Sequence, residues 1–154
     1  MANTNELTEA GYLISTDNTL LDIPMIHQYL AEVSYWAKNI PFDVVEKSIL
    51  NSFCFGVYYR NKQVGLARLV TDKATFAYLC DVFILEEHRR KGLSKWLLAT
   101  IHAHPEMQGL RRWLLGTKDA HGLYAQFGWT PLPEEMLQRF MQIHNPDAYE
   151  NPKH

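Results

Sequence analysis

The chain reads as one mixed α/β (α+β) domain, a mostly antiparallel sheet flanked by helices. Three observations predict this. First, its 154 residues match one ordinary domain, and its 47% hydrophobic and 21% charged residues match a compact one. Second, the apolar spacing switches repeatedly between helical and strand-like periods, in the order β, α, α, three strands, α, β, α, β. Third, no repeat, low-complexity run or linker divides the chain. Residues 1–154 are therefore expected to form a single domain with a core over about 12–132 and a polar, mobile tail from Asn145.

The elements follow in order. Tyr12 to Thr16 is a short strand. Asp22 to Val33 is a helix: Asp22 caps it, Pro24 suits its first turn, and Ile26, Tyr29, Leu30 and Val33 share a face. A second helix covers Phe42 to Asn51. Ser52 to Tyr59 and Gln63 to Val70 form a hairpin around the polar turn Arg60-Asn61-Lys62. Thr75 to Leu85 is a long strand, apolar on both faces and so expected to be central. Leu93 to His104 is a helix with Leu93, Trp96, Leu97 and Ile101 on one stripe, closed by Pro105. Arg112 to Leu115 is a strand, Ala120 to Phe127 a short helix and Trp129 to Leu132 a last strand.

Charge and cysteine content narrow the function. A net charge of −2 argues against a nucleic-acid partner, because the phosphate backbone selects basic proteins. Cys54 and Cys80 lie in apolar strand-like runs without metal-ligand spacing, and no metal site is expected. Free thiols fit a reducing cytoplasm. Met1 to Ala10 lacks the pattern of a signal peptide, and no apolar run approaches the ~18 residues that a membrane helix needs.

One segment conflicts with local physics. His88-Arg89-Arg90-Lys91-Gly92-Leu93-Ser94-Lys95 lies where the long strand feeds a helix. A helix N-terminus carries unpaired N–H groups and partial positive charge, and sequences usually place Asp or Glu there. Here Arg89, Arg90, Lys91 and Lys95 surround it. Either this is a solvated basic turn, or a polyanion sits on it, with Gly92 letting backbone N–H groups approach phosphate oxygens. The spacing fits neither G-x-x-x-x-G-K-[ST] nor G-x-G-x-x-G. It does fit Arg-x-x-Gly-x-small, with Arg89, Gly92 and Ser94.

With the strand Tyr78 to Leu85 before it, this segment resembles the acetyl-CoA motif of the GNAT superfamily of N-acetyltransferases, [Arg/Gln]-x-x-Gly-x-[Gly/Ala]. The second half of the family pattern follows a helix and a strand later: Ala120, Leu123-Tyr124, then Gly128-Trp129. The resemblance covers about residues 12–132. It implies a GNAT-like fold with a splayed central strand and acetyl-CoA as co-substrate. It further implies that the backbone of Val82, Phe83 and Ile84 meets the pantetheine arm, and that N–H groups from Arg90 through Lys91, Gly92 and Leu93 to Ser94 hold the pyrophosphate. Ser94 stands where glycine or alanine is usual, and Thr117 where an asparagine often contacts the cofactor arm.

Acetyl transfer by direct attack in a ternary complex needs a neutral amine, a polarised thioester carbonyl and a proton for the leaving thiolate. A backbone N–H in the splayed strand can polarise the carbonyl. Tyr124 is the candidate acid, matching the family's tyrosine, provided that the site lowers its pKa toward that of a thiol. Asp81 is the lone acid in its apolar strand. It is either a base or amine ligand, or a structural carboxylate in an ion pair or capping a neighbouring loop. A family acidic base on this strand would align with Tyr78, which alternation puts on the opposite face from Asp81 unless a bulge intervenes. Tyr35, Trp36, Phe55 and Tyr78 are the candidate acceptor contacts, with Phe53 beside them; aromatic rings favour a flat or cationic amine. His102 and His104 face different ways on their helix and make a poor metal pair. The expected function is transfer of an acetyl group to a primary amine of a small molecule, by a monomer or homodimer. A non-catalytic acyl-CoA sensor of the same fold and an acetyltransferase of protein amines are the alternatives.

Overall fold

The fold was obtained as a computed structural model, which describes residues 5–7 and 10–150. The described strands form one six-stranded sheet in sequence order: β1 (Asn5–Leu7), β2 (Tyr12–Ser15), β3 (Phe53–Tyr59), β4 (Lys62–Thr71), β5 (Phe76–Ile84) and β6 (Arg112–Leu115). Neighbours pair antiparallel except β5 with β6, which run parallel. Helices α1 (Ile23–Gln28) and α2 (Phe42–Leu50) follow β2; α3 (Leu93–Ala103) follows β5; α4 (His121–Ala125) and α5 (Glu134–Leu137) follow β6.

Two cores sandwich the sheet. One packs Phe55, Val57, Ala67, Leu69, Ala77 and Leu79 against Leu93, Leu97, Leu98 and Ile101 of α3. The other packs Cys54, Leu66 and Phe83 against Ile26, Leu30, Val45 and Ile49. Both need the period-2 alternation of strands and the 3.6-residue stripe of helices, which is why the element order was readable.

The first predicted helix is shorter than its apolar pattern. The Asp22 carboxylate accepts from the Met25 amide at 3.1 Å as a cap should. After Gln28, however, the backbone widens into a π-turn over Tyr29–Val33, closed by the Ser34 N–H on the Tyr29 carbonyl at 2.9 Å. The extra residue rotates Val33 off the apolar face, leaving it 60% exposed.

The predicted last strand does not form: residues 129–132 have no strand pairing. Pro131 removes a ladder donor from that segment, and Pro133 follows directly after it. The expected mobile tail also needs revision, since Tyr149 packs against the α1–α2 core.

Candidate active site

Strand β5 changes character half-way. Phe76 to Leu79 pair with Arg112 to Leu115 of β6, and there the pairing stops. Residues 80–84 continue along β4 alone. The two parallel strands thus part like a V, leaving one edge of β5 without a strand partner. Just past that point β5 is irregular. Asp81 has φ +50°, and the β4–β5 register shifts between Leu66/Phe83 and Arg68/Cys80, so two residues of β5 oppose Ala67. This is a β-bulge, which bends the strand and increases its twist. The bulge also answers the alternation problem. Cys80 opposes Arg68 and Tyr78 opposes Val70, while the Asp81 carboxylate reaches Arg68, so Tyr78 and Asp81 serve the same face.

Asp81 is an ion-paired carboxylate. Arg68 Nε donates to one oxygen at 2.8 Å, and Trp36 Nε1 donates to the other at 2.8 Å. Its side chain is 9% exposed. Of the two readings the sequence left open, this geometry matches the ion pair. Trp36 and Tyr35 lie on the segment between the π-turn and α2. Tyr35 Oη accepts from the Lys118 N–H at 3.1 Å, beyond the end of β6. The Tyr78 hydroxyl stands 4.0 Å from where a Cβ on Gly116 would be, so it too faces the end of β6. Tyr35, Trp36 and Tyr78 are each between 40% and 53% exposed. Phe55 is not with them. It is fully buried in the α3 core, with Phe53 and His104 against its ring, so no acceptor can reach it.

Strand β5 ends in a short 3-10 turn, Glu86–His88, and the loop to α3 follows. Arg90 and Gly92 both take left-handed conformations, φ +64° and +77°. Gly92 forms the N-cap of α3 without a side chain covering the helix end, and nothing lies within 4 Å of where its Cβ would be. Arg90, Lys91 and Lys95 are exposed, Ser94 is half-buried and Leu93 is anchored in the core. The loop is therefore a cationic, uncapped helix N-terminus with open space before it, which is how backbone receives an anion. Arg89 departs from its companions. Its guanidinium turns back to donate to the Ile84 carbonyl at 2.8 Å and to Tyr29 Oη at 3.0 Å, and Tyr29 stacks on Phe83 with centroids 3.9 Å apart. It pins the loop to the end of β5.

Tyr124 is 8% exposed on α4. Burial, with a smaller contribution from Tyr35, holds its hydroxyl above the ordinary tyrosine pKa, opposite to the lowering expected from sequence. Tyr124 and Thr117 line a cleft of about 1040 Å³ that also takes in Trp113, Trp129 and His121. The Thr117 hydroxyl accepts from the Ala120 N–H at 3.1 Å, so it serves the start of α4. The cleft lies between β6, α4 and residues 128–133; Tyr35, Trp36 and Tyr78 do not line it, but the Tyr78 hydroxyl faces Gly116 and Tyr35 Oη meets the Lys118 N–H at its edge. His102 and His104 serve packing. Trp129 Nε1 donates to His102 Nε2 at 3.0 Å, and His104 Nδ1 accepts from the Glu106 N–H at 3.1 Å.

A family model described as "Acetyltransferase (GNAT) domain" matches residues 51–131, more than half of the chain. The chain belongs to the GNAT family. A GNAT-family "putative acetyltransferase" from Xanthomonas campestris pv. campestris is 47% identical, with TM-score 0.88 over 95% of this chain and 100% of that one. A "putative acetyltransferase" of Gibberella zeae is 34% identical over 62% of this chain, a match that spans 64% of the fungal protein's length. A GNAT acetyltransferase from Elizabethkingia anophelis, solved with acetyl-CoA bound, shares 15% identity and the fold, with TM-score 0.57 over 77% and 76% of the two chains. The GNAT fold expected from the two motifs is thus the observed one, including a mostly antiparallel sheet with helices on both faces.

Sequence reasoning missed the partners of the predicted residues: Arg68, Tyr29 and the Lys118 amide. Arg68 left a signal. It is the lone charge in the apolar strand Gln63 to Val70, as Asp81 is in the next.

Proposed function

We propose that this GNAT protein transfers the acetyl group of acetyl-CoA to a primary amine of a small molecule by direct attack in a ternary complex. The single observation that supports it best is the uncapped, cation-ringed N-terminus of α3, which follows the half of β5 that has no β6 partner. The backbone there fits a pyrophosphate. The N–H groups from Arg90 to Ser94 would hold it, and the open edge of β5 at Val82, Phe83 and Ile84 would run beside the pantetheine arm. Bound acetyl-CoA supplies the thioester. This chain's residues position it, exclude water and deliver a proton. A backbone N–H on the open edge of β5 polarises the carbonyl without reorganising during reaction.

Tyr124 carries its proton at neutral pH as any tyrosine does, and burial raises its pKa, away from the lowering that would speed proton transfer. It acts as a donor to the leaving sulfur. The acceptor enters past Tyr35, Trp36 and Tyr78, whose rings favour a flat or cationic amine. We place the reaction in the cytoplasm, in a monomer or homodimer. Burial pushes the Cys54 and Cys80 thiols up to about 12, which leaves them inert as nucleophiles. Among the described residues, no helix is long and apolar enough to cross a membrane, and no cluster of metal-ligating side chains occurs.

Calorimetry with acetyl-CoA, followed by a thiol-release screen, tests the proposal. The panel holds polyamines, amino acids, aminoglycosides and N-terminal peptides. Binding at or below the order of tens of micromolar is expected, with turnover of a small amine. Binding without any turnover would favour the sensor reading, and turnover of the peptides alone would favour protein amines. Absence of binding would end the proposal.

A further inference from the structure

The segment 34–39 crosses the mouth of the V and is moored on both banks. On one bank the Trp36 indole N–H donates to Asp81 on β5 at 2.8 Å. On the other, the Lys118 N–H beyond β6 donates to Tyr35 at 3.1 Å. At its root, Ser34 Oγ donates to the Leu30 carbonyl at 2.7 Å and accepts from the Ala37 N–H at 3.1 Å. Asp81 joins this strap to the bulge. Its second oxygen holds Arg68 on β4 at 2.8 Å, and Arg68 Nη1 also reaches Ser52 Oγ at 3.0 Å. Asp81 itself has φ +50°, where most side chains are strained and Asp and Asn are tolerated best.

We propose that Asp81 is a positioning residue that clasps the Tyr35–Trp36 strap to the β5 bulge, and not the base that deprotonates the amine. Each carboxylate oxygen already accepts one donor, Trp36 Nε1 or Arg68 Nε, so the carboxylate is held between strap and strand and is not free to turn toward an amine. The same bonds fix two shapes together. The Arg68 side holds the bulge just past the β5–β6 pairing, and the Trp36 side holds the aromatic wall that an acceptor passes. An opening bordered by the bulge and walled by the strap therefore depends on one carboxylate. This inference rests on the acetyl-transfer reading for its meaning, but the clasp can be tested without it.

The experiment compares wild type with Asp81→Asn, Asp81→Ala and Trp36→Phe. The first readout is hydrogen exchange of the tryptophan indole N–H groups by NMR, with the Trp36 signal assigned by its loss in Trp36→Phe. The clasp predicts slow exchange of that signal in wild type and fast exchange in Asp81→Ala and in Asp81→Asn, whose one amide oxygen goes to the charged Arg68 and leaves the indole N–H facing the amide NH2. The second readout is the acetyl-CoA Kd by calorimetry. It should stay within about threefold for Asp81→Asn and Trp36→Phe, which keep the bulge, and weaken about tenfold or more for Asp81→Ala. The third is turnover of an amine from the screening panel. Trp36→Phe should raise the acceptor KM with little change in kcat, and Asp81→Asn should keep kcat within about threefold. A base would instead lose about 10² or more of kcat in Asp81→Asn with Kd and KM unchanged, and that result overturns the proposal. Equal indole exchange in wild type and Asp81→Ala overturns it as well. If Asp81→Ala does not fold, Asp81→Asn and Trp36→Phe still decide it. If wild type binds no acetyl-CoA, the functional reading fails while the indole signal continues to test the clasp.

Discussion

The two ends of the open edge of β5 handle charge in opposite ways. At the α3 end, Arg90, Lys91 and Lys95 are exposed around a helix terminus that already carries positive potential, and no side chain caps it. At the strap end, Asp81 and Arg68 are largely buried and neutralise each other, and the remaining carboxylate oxygen is taken by Trp36. A charge set left unbalanced by its own fold is completed by a ligand. One balanced internally holds backbone. Mutations at the first end should therefore cost binding more than folding, and Tyr124, set apart from both charge sets, should cost rate.

The largest effect is expected from Tyr124→Phe. The phenyl ring keeps the packing of the buried side chain, whose ring lies 5.9 Å from that of Trp129, and removes only the hydroxyl. If that hydroxyl supplies the proton for the leaving sulfur, kcat falls by about 10² or more. The acetyl-CoA Kd should move by less than about threefold, since the loss falls on rate rather than binding. Single-turnover kinetics beside calorimetry separates the two quantities. Equal turnover in the variant would remove Tyr124 from the chemistry and return it to the core.

A middle-sized effect is expected from Gly92→Val, which tests the α3 end. With φ +77°, a β-branched residue costs about 1–2 kcal/mol, or a Tm about 2–8 °C lower. No atom lies within 4 Å of the added Cβ, so strain is the whole structural cost. The same side chain fills the space from which backbone N–H groups would receive phosphate. Loss of even one such charge-assisted bond weakens acetyl-CoA about 10–100-fold. Thermal unfolding and calorimetry on one preparation report both. A binding loss no larger than the strain accounts for would mean that the basic loop is a solvated turn.

These contrasts also explain what could be read from the chain. The loop 89–94 was legible because its misfit is local: positive charge at a helix start needs no knowledge of the rest of the fold. Secondary structure was legible where pattern and length agreed, as in Leu93–Ala103 and Arg112–Leu115. The strap was not legible, because Trp36 and Asp81 are far apart in sequence and meet only through a bulge that shifts strand register. The same bulge turned Asp81 onto the face of Tyr78, which strict alternation forbids. Phe55 was misplaced because an aromatic residue in a strand looks the same whether it faces a core or a cleft. The sign of the Tyr124 shift was misread for a related cause: burial is a property of packing, and packing outweighs what the motif alone suggests.

The smallest expected effect concerns neither end of that edge, although His102 lines the cleft beside Trp113 and Trp129. His102 and His104 are both shifted below the ordinary histidine pKa. Burial is the cause for His102; for His104 burial leads, opposed by Glu106 and reinforced by Lys73. Each uses a ring nitrogen as an acceptor, His102 from Trp129 and His104 from the Glu106 amide, and a proton on that nitrogen would break the bond. The unfolded imidazoles take up protons near pH ~6.5 while the folded ones resist, so below that point the unfolded state binds more protons and stability falls. The stabilisation is complete above about pH 6.5 and is lost as pH drops through the lower folded values. Tm should therefore be level from about pH 7 to 8 and decline below about 6.5. His102→Gln and His104→Gln should each flatten part of that decline, the double variant most. Acetyl-CoA affinity at pH 7.5 should not move in His104→Gln, whose ring lies outside the cleft lining and holds no anion-loop group. A loss of affinity there would tie the α3 helix, and not only its N-terminus, to ligand binding.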